Sequence, residues 1–428
     1  MPGSSRNVVI TGLGPVTSIG MGCDALWASL TAGRSNVANR TLTVDLGKTV
    51  ELPMAGMPPV ESIAGLDRHF AFLAEQGCEG YRDLAYALHA VDLALNDARL
   101  DAHGGHYTRS RNNVGMVQAF EAPGVERTAT RLFQLFSHGP PTDGPPPVYD
   151  LLAPSFYNMQ AFLYVHVVAK AFGLRGFCTS VHNACTSGAF AIEVAAQHIR
   201  SGQADVMVVV GAEAFDTAVR LEWFRRLDLY ARSGDSMRPF SADSTGFYVG
   251  EGGAAMVLES ADHAARRRAT PYAAYLGGAF AHQAWKQTIP DVRSAKLRDV
   301  IVEALGRTET DAASIDLIVP HGASTQLSDG YEAACLRKAL AGKARDAVAA
   351  VYKPSVGHML AASGIVETLC ALLAMKNQSV PATLNAAKSE SSLPVPLADK
   401  QIDRRVDTIL KLSTGFTGHD AALIFRRA

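Results

Sequence analysis

What the chain lacks narrows its function first. Its 428 residues carry six cysteines, at 23, 78, 178, 185, 335 and 370, and none falls in a CxxC pair. That scatter speaks for reduced thiols and against a disulfide framework or a thiolate zinc site. Charge of one sign is missing too: 40 Lys plus Arg balance 41 Asp plus Glu. No global field therefore points to nucleic acid. Long apolar runs are absent as well. The stretch Ala161 to Leu174 is too short to span a bilayer and carries His166 and Lys170. The first residues lead into a strand pattern with no apolar signal region, so a cytoplasmic protein without a membrane segment is expected.

What is present is a long, Ala- and Gly-rich alternation of strands and helices. Strand patterns fall at Val8–Gly12, Asn113–Val117, Asp205–Gly211, Gly252–Leu258, Ile315–Val319, Val348–Val351, Ile409–Ser413 and Ala421–Phe425. Helical spacing falls at Cys23–Ala32, Tyr81–Ala98, Gln160–Phe172, Lys296–Leu305, Asp329–Ala341 and Met359–Met375. This alternation predicts an α/β fold with buried sheets. Two small-residue helix starts, Ala184-Cys-Thr-Ser-Gly-Ala and Gly357-His-Met-Leu-Ala-Ala-Ser-Gly, hint at internal duplication, with halves 1–262 and 263–428.

Three motifs carry chemistry. Cys185 opens a helix after Ser180-Val-His-Asn-Ala184, where free N–H groups and the helix dipole favour a thiolate. A lone cysteine there is as readily a buried structural residue. Pro320-His321-Gly322 and Gly357-His358 each follow an apolar strand, where open α/β folds build sites. Either histidine alone reads as a satisfied residue in a turn. One Cys and two His beside small residues form a coherent nucleophile and base set. No pair has metal-ligand spacing, so no metal is expected.

The ordered series of motifs resembles the β-ketoacyl synthases, the elongating condensing enzymes of fatty-acid and type II polyketide synthesis. It runs through Val8-Val-Ile-Thr-Gly-Leu-Gly14, Ala184-Cys-Thr-Ser-Gly188, Arg238-Pro-Phe-Ser-Ala-Asp243, Gly246-Phe-Tyr-Val-Gly-Glu-Gly252, His321-Gly322 with Thr325 and Asp329, Lys353 with Gly357-His358, and Gly415-Phe416 with Gly418. The resemblance implies a thiolase-like fold of two duplicated α/β halves in αβαβα layers. It implies a decarboxylative Claisen condensation of a Cys185-bound acyl group with a malonyl group on an acyl carrier protein. Cys185, His321 and His358 would be catalytic. Lys353 and Glu367 would support His358, and Phe416 would gate and share the oxyanion hole with Cys185. Thr325 and Thr288 would bind pantetheine, and Phe120 and Ala122 would line the acyl pocket. No bound cofactor is implied, since the substrate rides on the carrier's phosphopantetheine. Expected partners are the acyl carrier protein and either a second copy or a chain-length-factor-like subunit, with the loop Phe136–Tyr149 at that interface. Arg225, Arg226 and Arg68 are candidates for a basic rim.

Departures from the family pattern are Ala323 for a Thr, Thr417 for a flexible Gly, and Gln118-Ala-Phe-Glu-Ala-Pro-Gly124 for a Gly-rich segment. They point to a restrained gate and an altered acyl pocket, suited to a specialised polyketide or polyene chain. His182 is read as a packing residue. Two rivals stand beside condensation: a non-condensing acyltransferase or hydrolase on the same fold, and a partner subunit that shapes chain length.

Overall fold

The computed structural model describes residues 6–100, 114–137, 153, 156–386 and 391–428. Ten strands form one continuous path: β1 Val8–Thr17, β2 Val114–Ala119, β3 Cys178–Val181, β4 Val206–Glu213, β5 Gly252–Ser260, β6 Ala273–His282, β7 Leu317–Val319, β8 Val348–Ala349, β9 Thr408–Gly415 and β10 His419–Arg426. Their spatial order is β8-β7-β9-β10-β6-β1-β5-β4-β2-β3. The first five strands thus lie in the order 3-2-4-5-1, and the last five repeat it as 8-7-9-10-6. The pairing senses repeat too. The β2–β3 and β2–β4 pairs are parallel, and so are β7–β8 and β7–β9. The β4–β5 and β5–β1 pairs are antiparallel, as are β9–β10 and β10–β6. The halves join where Val8 to Ile10 of β1 face Tyr275 to Ala273 of β6.

Most strands are buried because helices cover both faces, the edge strand β3 and parts of β6 being the partly exposed exceptions. In chain order, α1 is Arg82–Asp97, α2 Ala161–Phe172, α3 Ser187–Arg200, α4 Lys296–Arg307, α5 Gln326–Leu340 and α6 Ser363–Asn377. α1 and α2 pack on one outer face with Val114, Val208 and Val257. α4 and α5 pack on the other with Ile318, Leu410 and Ile424. Between the sheets lies the largest core, where Ile192 and Ile199 of α3 meet Ile365, Leu369 and Leu372 of α6. This is the five-layer αβαβα arrangement, and it explains the β-branched runs: strands covered on both faces need no polar side.

α3 and α6 are the two helices whose starts look alike in sequence. They cross closely at glycines. A methyl on Gly188 would stand 2.9 Å from the Ile365 nitrogen, and one on Gly364 2.8 Å from that of Ala189. The expected boundary at 262/263 falls inside the short helix Ala261–Arg266, between β5 and β6. The stretch Leu360–Asn377 is long and apolar enough to cross a bilayer, but 89% of it is buried, as befits the central helix of the core.

Sequence periodicity missed several elements. The hairpin Val37–Asp45 with Lys48–Ala55, the short strand β3, the strand β6 and the helices Asp67–Glu75, Val125–Ser137 and Val219–Arg226 were not expected. The candidate interface loop Phe136–Tyr149 lies almost wholly outside the described residues.

Candidate active site

The Cys185 segment sits in a tied, strained turn. Just before Cys185, Ala184 adopts φ 48°, a left-handed conformation uncommon for a residue with a side chain. The turn is held by its hydroxyls. Ser187 Oγ donates to the Ala184 carbonyl (2.6 Å) and accepts from Asn183 N–H (2.8 Å), and Thr186 Oγ1 donates to the Asn183 carbonyl (2.6 Å). These bonds account for the small hydroxyl residues after the cysteine and fix where Sγ points.

The two histidines come from the other half. His321 follows β7, and its loop hangs on α5. The Glu332 carboxylate accepts from the N–H groups of His321 (2.7 Å) and Gly322 (2.9 Å). Asp329 accepts from Ser324 N–H (3.1 Å) and reaches across to Phe240 N–H (2.6 Å). Glu332 was not singled out in the sequence; its signal is its position one helical turn after Asp329. His358 follows Gly357, whose φ of 77° and contact with Gly250 leave no room for a side chain. Its Nδ1 lies 2.7 Å from Ser363 Oγ.

Cys185, His321, His358, Thr325, Thr288 and Phe416 all line one cavity of about 50 Å³. The imidazole centroids stand 5.4 Å apart. A larger cleft, about 1070 Å³ between Asp97–Leu100 and Arg266–Tyr272, holds none of these groups. Size does not select the site; the convergence of a thiol and two imidazoles does. The Phe416 ring rests on Trp223 (5.8 Å) and Phe224 (6.0 Å) of the helix Val219–Arg226. Thr417 takes φ 64°, where a β-branched residue is strained, and its N–H donates to the Gln287 carbonyl (2.5 Å).

Behind the cavity lies a buried charge cluster. Lys353 donates to Glu367 Oε1, to the His321 carbonyl (2.5 Å) and to His321 Nδ1 (3.4 Å). An ammonium has three hydrogens and no acceptor, so these bonds use all it has. His321 must then carry its proton on Nε2. Lys353 thus contacts His321, where sequence reading paired it with His358. Lys411 fills the other Glu367 oxygen (2.6 Å). It was missed in the sequence, where it reads as one cation in a closing strand. Burial holds both imidazoles well below the usual histidine range, and the Lys353 ammonium adds to this. Both rings are therefore neutral near pH 7.

Cys185 departs from expectation. Burial pushes its thiol well up, Glu121 pushes the same way, and Lys353 opposes them. The resting group is a thiol, whereas the helix start alone argued for a thiolate. Burial is the main cause, and a second buried cluster adds to it. Arg220 binds Glu213 Oε2 with both terminal nitrogens (3.1 Å each) and Glu126 Oε1 through Nε (2.9 Å). Glu213 Oε1 and Glu121 Oε2 are buried with no hydrogen-bond partner. Burial raises Glu121 and carries Glu213 up to about 8.

The remaining expectations scatter. Phe120 packs edge-on against Tyr164 (4.6 Å) in the outer core, and Ala122 borders a small space beside Arg220; neither lines the cavity. Arg225 and Arg226 are exposed on the helix that backs Phe416, and both pair with Glu222. Arg68 pairs with Asp92 and is not part of the cavity lining. His182 is exposed beside Ser180 Oγ (3.2 Å) and does not pack.

Comparison with known proteins settles the family. The profile described as Beta-ketoacyl synthase, N-terminal domain, matches residues 5–264, and that of the C-terminal domain matches residues 272–387. The chain belongs to the β-ketoacyl synthase family. That makes it a condensing acyltransferase. A 3-oxoacyl-acyl-carrier-protein synthase 2 of Rhizobium meliloti is 30% identical over 99% of both chains. A putative polyketide beta-ketoacyl synthase 1 of Streptomyces cyaneus is 28% identical over 98% of both. The crystal structure of a Beta-ketoacyl synthase from Burkholderia phymatum superposes with a TM-score of 0.82 at 26% identity, covering 99% of this chain and all of that one.

Proposed function

We propose that Cys185 carries the growing acyl chain and that His321 and His358 drive decarboxylation of a malonyl group delivered by an acyl carrier protein. The observation behind this reading is that all three side chains line one cavity. The thiol Sγ attacks the incoming thioester carbonyl. Its proton passes to a neutral imidazole and then to the departing pantetheine thiol, so the acyl group moves with no net change in charge. Backbone N–H groups of Cys185 and Phe416 hold the tetrahedral oxygen; one such donor is worth about 3–4 kcal/mol. A malonyl thioester then occupies the cavity, with Thr325 and Thr288 beside its pantetheine arm. Loss of carbon dioxide leaves an enolate, whose oxygen takes the Nε2 proton of His321 as a hydrogen bond, with His358 as the second donor. The enolate carbon attacks the Cys185 thioester carbonyl, the bond to Sγ breaks, the β-ketoacyl carrier is freed, and the departing thiolate takes a proton from water to restore the thiol. Lys353 and Glu367 position His321 and do not touch substrate.

The chain is expected to work in the cytoplasm on polyketide-type substrates. Its relatives include ketosynthases of both polyketide and fatty-acid lines at similar identity, 28% and 30%. A type II ketosynthase of the same fold has been captured with its acyl carrier protein, and the exposed Arg225 and Arg226 beside Phe416 suit such an acidic partner. The test is to supply acyl and malonyl carriers separately and together. Wild type should load acyl on Cys185 and release carbon dioxide. Cys185→Ala should still decarboxylate malonyl carrier but load nothing, whereas His321→Ala and His358→Ala should load yet decarboxylate at least 100-fold more slowly. Decarboxylation untouched by either histidine change would reject the assignment.

A further inference from the structure

A second cluster of chemistry-bearing side chains lies outside the cavity lining. His69 sits on the helix Asp67–Glu75, and His89 and Asp92 sit three residues apart on one face of α1. The two imidazoles meet edge to face with centroids 5.5 Å apart. They are 7% and 6% exposed. His69 Nε2 and His89 Nδ1 are both buried and have no hydrogen-bond partner among the described residues. A buried polar atom left unmet costs about 1–3 kcal/mol, so two at one spot need a reason. One ligand atom from each of His69, His89 and Asp92 lies within 4.8 Å of the others.

We propose that His69, His89 and Asp92 bind one divalent transition ion, zinc by preference, which staples the helix Asp67–Glu75 to α1. Two imidazole nitrogens and a carboxylate oxygen are a standard donor set for zinc, with water as the fourth ligand. Tetrahedral bonds of about 2.0–2.1 Å put neighbouring ligands roughly 3.3 Å apart. The present spread reaches up to 4.8 Å, so binding requires the two rings and the carboxylate to draw together around the ion. Neutral imidazole is the form that binds metal. Arg68 is the competitor, since it already pairs with the Asp92 carboxylate. It is the more exposed partner and can swing out into water. The two histidines lie on different helices, which is why no motif spacing betrays them.

The experiment uses the full chain, stripped with a chelator and titrated with Zn²⁺, then with Co²⁺ for its visible bands. One equivalent should bind saturably and raise the melting temperature. His69→Gln and His89→Gln should each weaken binding at least tenfold, while His198→Gln, a histidine stacked on Phe177, should not. Arg68→Ala should tighten binding several-fold by freeing the carboxylate. Should a histidine variant fail to fold, Asp92→Asn at its partly exposed position takes its place and should also weaken binding. Absence of saturable binding below millimolar metal, binding indifferent to these substitutions, or weaker binding in Arg68→Ala would each overturn the proposal.

Discussion

The two halves share a strand order but bury different ionisable clusters. Behind the histidines, two lysines enclose one carboxylate, and both Glu367 oxygens are bonded. Behind the cysteine, one arginine faces Glu213, Glu126 and Glu121, and two of those carboxylate oxygens have no partner. Burial, with the positive cluster adding to it, keeps the imidazoles neutral, and Lys353 sets one of them as a donor. Burial, with the glutamates of the second cluster adding to it, keeps the sulfur protonated. The same scaffold thus occurs twice with different groups behind it: in the proposed reaction the histidine side meets the negative charge of the enolate, while the sulfur side stays neutral until a substrate is in place.

Breaking the positive cluster should give the largest effect. Glu367→Gln leaves two buried ammonium groups short of a counter-charge, and losing one partner of a buried pair typically costs about 3–5 kcal/mol. Chemical denaturation should show it, and a loss under about 1 kcal/mol would mean the cluster is not buried as described. Next comes Lys353→Met. It releases His321 from its fixed tautomer and removes a nearby positive charge, so the imidazole pKa should rise. Malonyl decarboxylation should fall about 100-fold, with its acid limb moving to higher pH. Unchanged acyl loading would separate this from general damage.

The halves should also answer pH in opposite directions. His321 and His358 are held neutral in the fold, so below the ordinary histidine value of about 6.5 the unfolded chain binds more protons and stability falls. Glu213 titrates at about 8 in the fold instead of 4.5, so the folded chain binds more protons in between. Its contribution is complete below the lower value and is lost as pH rises through the upper one. Glu213→Gln should therefore flatten the decline between pH 5 and 8 and leave the acid side alone. A decline of undiminished slope in that variant would place its origin elsewhere, Asp329 being the next candidate. The smallest effect belongs to Thr417→Gly. Relief of the left-handed strain is worth about 1 kcal/mol, and acyl loading should speed up a few-fold if that residue restrains Phe416. Identical loading rates would free Thr417 of any such role.

Sequence reading reached the layered α/β class because strands covered on both faces read as unbroken β-branched runs, as in Val206–Val210. It reached Cys185, His321 and His358 because each stands beside small residues just past a strand. It missed β3 and the hairpin Val37–Asp45 with Lys48–Ala55, whose partly exposed, polar-rich strands carry no clear period. It could not tell which histidine Lys353 would meet, since three residues on different elements converge only in space. The thiol's protonation was misjudged for the same reason: the helix start is local, while the burial of Cys185 and, after it, Glu121 and Glu213 come from other elements packed around it. Phe120 and Ala122 were placed by likeness alone, and a residue's rank along a loop does not say which way it faces.

The glycine crossing of α3 and α6 has a further reach. Gly188 lies just downstream of the sulfur, and Gly364 just downstream of His358 and its serine. A single methyl at either spot would act as a wedge, tilting the rod that carries the thiol away from the rod that steadies the imidazole. Such an enzyme could stay folded and keep every reactive group, yet fall silent because the two sides of its reaction no longer meet.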